Sequence, residues 1–141
     1  MHQFENEEVD ENDDATPRTQ DRWGEMDRQL LDFERLEVYR CAIEFLGIAV
    51  QVTAHMPRGQ ADLRDQLRRA STSIPLNIAE ASGKTSVADR ARFHAIARGS
   101  AFECAAILDV LRLLEAARPE DLDRGKRLPI RVVSMLSKMC R

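Results

Sequence analysis

Residues 66–83 read QLRRASTSIPLNIAEASG and decide the fold class of this chain. On a helical wheel of about 100° per residue, the apolar positions fall in one arc: Leu63, Leu67, Ala70, Ile74 and Ile78. A narrow second arc beside it holds only polar residues: Gln66, Arg69, Ser73, Asn77 and Glu80. Half-buried polar groups need hydrogen-bond partners. The pattern therefore predicts an amphipathic helix whose polar row forms a network at the edge of a core.

The helical period continues on both sides of this segment and predicts four helices. We expect them over residues 34–56, 60–81, 86–116 and 129–140. Asp32 is the expected N-cap of the first helix, and Ser86 with Asp89 resembles a capping pair for the third. Residues 119–129, PEDLDRGKRLP, are expected to form the last connection. The apolar positions of the fourth helix are Ile130, Val133 and Leu136, with Val132 and Met139 as further candidates.

Pro75 lies inside the second expected helix, where it predicts a kink, with a complete break as the alternative. No segment alternates with period two, so no strands are expected. Four helices joined by short connections predict an all-α protein, an antiparallel up-down-up-down four-helix bundle.

The first helix carries two apolar rows, whereas an ordinary amphipathic helix has a single stripe. One row is Val38, Ala42, Phe45, Ala49, Val52 and Met56. The other is Leu36, Tyr39, Ile43, Leu46, Val50 and Thr53. Two apolar faces on one helix need two packing partners. We expect the first partner to be the bundle interior and the second to be another subunit.

Length and charge separate a tail from a domain. The chain has 141 residues, which favours one compact domain. Residues 1–32 hold eleven acidic and three basic residues, a net charge of -8, while residues 33–141 hold thirteen and eighteen, a net of +5. We expect 1–32 to be a mostly disordered acidic tail and 33–141 to be the bundle. With no long apolar run and no secretory signal, we expect a cytoplasmic protein without membrane contact.

The polar row of the second helix, with Ser100 and Glu103 of the third, is the first candidate site. A catalytic interpretation would use Glu80 or Glu103 as a base and Ser73 or Ser100 as a nucleophile, but nothing nearby in the sequence would activate the serines. We favour a structural polar network, made of Gln66, Arg69, Ser73, Asn77, Glu80, Ser100 and Glu103.

Neither a metal site nor a cofactor site is expected. The histidines His2, His55 and His94 lie far apart, and there is no H-E-x-x-H or E-x-x-H motif. The sequence G-K-T at 83–85 lacks the first glycine of a phosphate-binding loop, because position 78 is Ile. The three cysteines form no C-x-x-C pair, so we expect small buried or terminal hydrophobic residues rather than disulfides.

Nucleic-acid binding is the remaining candidate, because phosphate neutralisation needs only a positive surface. The candidate contacts are Arg64, Arg68, Arg90, Arg124, Lys126 and Arg127. The net charge of +5 is modest and aromatic residues make up 5% of the chain, so a solvated basic surface is the alternative.

Residues 33–139 resemble the bacterial four-helix bundle family of 23S rRNA intervening-sequence proteins. The motifs that carry this resemblance occur in order: Phe33-x-x-Leu36-x-Val38-Tyr39, Pro57, Gln66-Leu67-Arg68-Arg69-Ala70, Ser73-Ile74, Asn77-Ile78-Ala79-Glu80 and Gly99-Ser100-x-x-Glu103. Ala81 stands where the family commonly has glycine after Asn-Ile-Ala-Glu. The resemblance implies a ring-shaped homopentamer. One related branch, the accessory variability determinant of diversity-generating retroelements, binds nucleic acid and a reverse transcriptase.

Two functions are therefore expected. The favoured one is a non-enzymatic homo-oligomeric scaffold or adaptor, which the resemblance makes a pentamer. The alternative is an accessory protein that binds RNA or DNA and partners a reverse transcriptase. The chain departs from that branch, because it is acidic overall and carries an added acidic tail.

Overall fold

The computed structural model describes residues 31–140, and these form one short 3-10 helix followed by four long α-helices. The 3-10 helix is Asp32–Arg35, and the α-helices are α1 (Glu37–Ala54), α2 (Ala61–Ser82), α3 (Val87–Leu113) and α4 (Pro119–Met139). Each long helix packs against the next, and α4 closes against α1. The prediction of an all-α four-helix bundle is confirmed, and this part of the chain contains no strand. The expected tail, including Trp23, lies almost entirely outside the described residues.

The core follows the rows read from the sequence. All six residues of the first α1 row, from Val38 to Met56, are buried. In α2, four of the five residues in the apolar arc are buried, and Leu63 is half-buried against the core. Burial of each large aliphatic or aromatic side chain contributes roughly 1.5–3 kcal/mol, so these rows hold the helices together.

The start of α1 differs from the prediction. Asp32 is not its N-cap, because α1 begins at Glu37 with Leu36 in the N-cap position. Residues 32–35 form a separate 3-10 turn, in which the Leu31 N–H donates to Glu34 Oε2 at 2.7 Å and the Glu34 N–H donates to the Leu31 carbonyl. These hydrogen bonds pair backbone groups of residues 31–34 within the 3-10 turn. The α-helix therefore begins at Glu37, after the first residues of the predicted helix.

The second and third helices agree more closely with the sequence-based prediction. α2 runs through Pro75 as one helix, so the alternative of a break is wrong. Pro75 is itself buried, and its packing offsets the hydrogen bond that it removes. Ser86 is the N-cap of α3, and its Oγ accepts from the Asp89 N–H at 3.0 Å, which confirms the capping pair. α3 ends at Leu113, three residues earlier than expected.

The largest correction concerns α4, which begins at Pro119, ten residues before the expected start at Pro129. Proline is favoured in the first turn, and the acidic Glu120 and Asp121 beside it suit the helix dipole. Leu122 and Leu128, in the segment expected to be a connection, are both buried in the core. The segment is therefore helical because its apolar residues repeat on one face that packs against the bundle.

Gly125 explains how this first half of α4 approaches its neighbours. A Cβ added at Gly125 would lie 3.3 Å from Ile48 Cγ2 and 3.5 Å from Leu108 Cδ1. The missing side chain therefore allows close packing of α4 against α1 and α3. The expected core position Ile130 is wrong, since its side chain is 57% exposed, while Val132 and Leu136 are fully buried.

Candidate interaction surfaces

Three members of the predicted polar network meet where α2 packs against α3. The hydroxyls of Ser73 and Ser100 lie 2.8 Å apart and form a hydrogen bond between the two helices. Asn77 Nδ2 donates to Ser73 Oγ at 2.9 Å and to the Ser73 carbonyl at 2.8 Å. All three side chains are half-buried. They form a compact polar cluster that joins α2 to α3.

The other four members lie outside this cluster. Gln66, Arg69, Glu80 and Glu103 are all exposed. Glu80 forms an ion pair at 3.0 Å with Lys84, which follows the C-terminal end of α2. The side chains of the remaining three form no hydrogen bond or ion pair with any residue between 31 and 140. The structure thus brings together three of the seven residues, and their role in holding register stays a prediction.

The cluster has little capacity for chemistry. Each serine hydroxyl faces another hydroxyl or an amide, and neither group abstracts a proton as a histidine or carboxylate would. Cys104 is buried nearby on α3, and burial, followed by the charge of Glu103, raises the pKa of its thiol to about 12. Burial also raises the pKa of the Cys41 thiol. Thiols that stay protonated at neutral pH are poor nucleophiles.

His94 is a buried polar residue that the sequence did not single out. The residue is 7% exposed, and its Nδ1 atom has no hydrogen-bond partner among residues 31–140. Burial lowers the pKa of His94; the backbone of Met139 raises it and the charge of Arg90 lowers it further. Because Met139 belongs to α4, His94 lies where the start of α3 meets the end of α4. No group of three or more potential metal ligands occurs among residues 31–140.

The six candidate nucleic-acid contacts do not share one surface. Arg64 donates to the carbonyls of Thr53, Met56 and Pro57, so it closes the C-terminal end of α1. On α4, Arg124 bonds to Gln51 of α1, whereas Lys126 bonds to Asp109 of α3. These two side chains therefore point toward different helices.

The other three candidates are Arg68, Arg90 and Arg127, and all three are exposed. Arg68 is on α2, where its Nε donates to Thr53 Oγ1 at 3.5 Å. Arg90 and Arg127 are exposed and form no ion pair with the described residues. Arg90 stands at the start of α3 and Arg127 within α4. These three candidates thus lie on three different helices.

The second apolar row of α1 is only partly covered within one chain. Leu36 and Tyr39 are half-buried against the core, and Thr53 is buried. Ile43 and Leu46 are half-buried, and Val50 is 50% exposed. We define the α1 outer face as Tyr39, Ile43, Leu46, Gly47 and Val50. It is a continuous apolar strip, although one chain covers more of it than expected.

A larger exposed apolar surface lies on α3 and was missed at the sequence level. The exposed side chains are Ile96 (42%), Phe102 (49%), Val110 (41%) and Leu113 (84%). Small residues lie between them on the same side of the wheel. We define the α3 outer face as Ala95, Ile96, Gly99, Phe102, Glu103, Ala106, Val110 and Leu113. The available signal was a second set of apolar residues in α3, Ile96, Phe102 and Val110, outside the buried row that includes Ala97, Cys104 and Leu111.

None of the helices between residues 31 and 140 is long and apolar enough to cross a membrane. The architecture and these surfaces define an antiparallel helical bundle with one internal polar cluster and two outer apolar faces. The chain belongs to the family of 23S rRNA-intervening sequence proteins, whose family model matches residues 34–138. This match confirms the resemblance seen in the motifs.

A solved structure shows the same fold. It is a protein of unknown function from the S23 ribosomal protein family of Bacteroides thetaiotaomicron VPI-5482, with a TM-score of 0.68 and 24% sequence identity. The similarity covers 74% of this chain and 98% of the other. At this identity it supports the fold alone. No curated protein matches the chain.

Proposed function

We propose that this protein is a non-enzymatic, self-associating helical bundle that acts as a scaffold or adaptor. The observation that carries the proposal is the pair of outer faces on α1 and α3, where apolar side chains such as Val50 and Phe102 are about half exposed. Contiguous apolar surface of this kind marks a protein–protein interface more often than a solvated surface.

The polar cluster supports a structural function over a catalytic one. Ser73, Asn77 and Ser100 bond to one another, so their hydrogen-bonding capacity is used to join α2 to α3. A network of this kind contributes specificity of register more than stability. It would keep the outer faces of neighbouring helices in constant relative positions, as an assembling subunit requires.

The charge distribution favours assembly over the nucleic-acid alternative. Among the six candidate cations, Arg64, Arg124 and Lys126 are bound to other groups of the chain. A phosphate-tracking surface needs several free cations on one side of the molecule. Contact with RNA, DNA or a reverse transcriptase therefore remains the second candidate, without a specific contact surface to favour it.

Sedimentation of the full chain over a range of concentrations tests the proposal. The mass expected from the family resemblance is five times the 16.0 kDa of one chain. A different stable oligomeric mass would support self-association but show that the expected subunit number of five is wrong. A single-chain mass at every concentration would overturn the proposal. A filter-binding series with RNA at low and high salt, run on the same sample, tests the second candidate, which predicts retention that salt abolishes.

A further inference from the structure

We propose that an open cleft at one end of the bundle binds an aromatic amino acid in its zwitterionic form. The cleft has a volume of about 610 Å³ and lies between the C-terminal end of α1, the last turn of α3, the connection 114–118 and the first turn of α4. Cavities of roughly 300–1,000 Å³ are typical of small-molecule sites. The proposal goes beyond self-association and does not depend on it.

The most deeply buried residues that line the cleft are apolar. Ala116 is 3% exposed and Leu122 is 1% exposed. Pro57, after α1, and Pro119, the first residue of α4, also line it. Apolar side chains and guanidinium planes both pack against the faces of aromatic rings. The cleft therefore suits a ligand whose body is an aromatic ring.

Glu115 is the acidic residue that lines the cleft, and its carboxylate has no partner among residues 31–140. Its φ of 51° lies in the left-handed region, where glycine is favoured. The Ala116 N–H donates to the Leu111 carbonyl at 2.9 Å, and the Glu115 N–H donates to the Arg112 carbonyl at 3.1 Å. Glycine is the usual residue at this position of such a helix end. A carboxylate that is kept there despite the strain is consistent with a binding function.

His55 provides a second acceptor at the cleft. Its Nδ1 lies 2.8 Å from the Gln51 carbonyl oxygen. Because a carbonyl oxygen can only accept, Nδ1 carries the proton, and Nε2 of the neutral ring is an acceptor without a partner in the described part of the chain. A carboxylate and an imidazole nitrogen that both accept suit an ammonium group, which has three N–H donors.

Arg112 and Arg118 provide donors at the same cleft. Each is held by a carboxylate of α4. Arg112 Nη2 lies 2.5 Å from Asp123 Oδ1, and Arg118 Nε lies 3.3 Å from Asp121 Oδ2. A guanidinium group has five N–H donors, so both side chains retain donors for the carboxylate of a ligand.

The charges at the cleft are balanced. The charged groups that line it, together with their ion-pair partners, are three arginines and three carboxylates: Arg112, Arg118, Arg124, Glu115, Asp121 and Asp123. Arg58 and Glu120, the neighbours of Pro57 and Pro119 in sequence, add one charge of each sign. A site with both signs and no net charge is complementary to a zwitterion rather than to a simple anion or cation.

Titration calorimetry of the full chain with three matched compounds tests the proposal. L-tryptophan carries both charged groups, tryptamine lacks the carboxylate, and indole-3-propionate lacks the ammonium group. We expect L-tryptophan to bind with a Kd below about 1 mM and at least about tenfold more tightly than either analogue. Absence of L-tryptophan binding, or equal affinity for the three compounds, would overturn the proposal.

Two charge-neutralising variants assign the two ends of the ligand. Glu115→Gln should weaken binding of L-tryptophan and tryptamine about tenfold and leave indole-3-propionate unchanged. Arg118→Gln should weaken L-tryptophan and indole-3-propionate and leave tryptamine unchanged. The matched controls are Glu103→Gln and Arg90→Gln, at exposed residues of α3 that do not line the cleft. Equal losses in the controls would show that the cleft is not the site.

Glu115→Gly separates binding from folding. It removes the carboxylate and relieves the left-handed backbone, so the urea midpoint should rise while L-tryptophan binding falls about tenfold. Unchanged binding in this variant would contradict the assignment of Glu115 to the ammonium group. Sedimentation measures self-association separately, so a failure of the ligand proposal leaves the proposed function standing.

Discussion

The hydrogen bond between Ser73 and Ser100 provides a quantitative test of the polar cluster. Each serine is changed to alanine, alone and together. Ser100→Ala removes the 2.8 Å bond between the helices, but Ser73 Oγ still accepts from Asn77 Nδ2 at 2.9 Å. Ser73→Ala also removes that second bond, while Asn77 keeps the Ser73 carbonyl as an acceptor. Ser100→Ala therefore leaves Ser73 bonded to Asn77, whereas Ser73→Ala leaves the half-buried Ser100 hydroxyl without its partner among the described residues.

The expected magnitudes follow from these bonds. A neutral hydrogen bond contributes about 1 kcal/mol to the free energy of unfolding. Alanine has a better helix propensity than serine by about 0.5 kcal/mol, which offsets part of each loss. This offset cancels in a double-mutant cycle because it acts at each site separately. We therefore expect the double variant to be about 1 kcal/mol less destabilised than the sum of the single variants.

Urea unfolding followed by helical circular dichroism measures these values. All samples are compared at one protein concentration, because association contributes to apparent stability. The matched control is Thr72→Ala, since Thr72 is exposed and its hydroxyl donates to the Arg68 carbonyl of its own helix. Its combination with Ser100→Ala should be additive. A coupling between Ser73 and Ser100 below about 0.3 kcal/mol would refute a joining role for this bond.

Three further predictions concern assembly, pH and backbone conformation. Asn77→Leu should lower the sedimenting mass of the full chain by loosening its assembly, and an unchanged oligomer would count against a role for Asn77 in register. Burial lowers the pKa of His94 below its ordinary value of 6.5, so the unfolded chain binds a proton more readily, and stability should fall as the pH drops below 6.5; urea titrations at several pH values should show a smaller fall for His94→Leu. Gly47→Ala should stabilise the chain by about 0.5–1 kcal/mol, because glycine loses more conformational freedom in a helix than alanine does and the added Cβ meets nothing within 4 Å. Gly59→Ala should destabilise the chain by about 1 kcal/mol, because Gly59 has φ 99°. Opposite shifts of the urea midpoint check the pair.

The start of α4 could not be predicted from the periodicity of apolar residues. The segment from Pro119 to Pro129 contains two prolines, one glycine and six charged residues, a composition typical of a loop. The apolar residues of this segment other than proline and glycine are Leu122 and Leu128, and between them Gly125 packs closely against Ile48 and Leu108. This close packing depends on the positions of α1 and α3 relative to α4. The sequence pattern within α4 contains no information about those positions.

The polar row shows the same division between local and tertiary information. Gln66, Arg69 and Ser73 fall on one arc of the wheel, so sequence alone places them on one side of α2. Which of them is half-buried depends on where α3 crosses, and α3 presents the Ser100 hydroxyl only beside Ser73.

The helical period, the order of the four helices and the inward rows of α1 and α2 were determined by the sequence, because an α-helix places residues three and four apart on the same face wherever it occurs. Only the tertiary structure decided that α4 starts at Pro119, that three polar residues form the cluster, and that α3 exposes more apolar surface than α1. Burial is a relation between helices, and the wheel of one helix contains no information about how closely its neighbours approach.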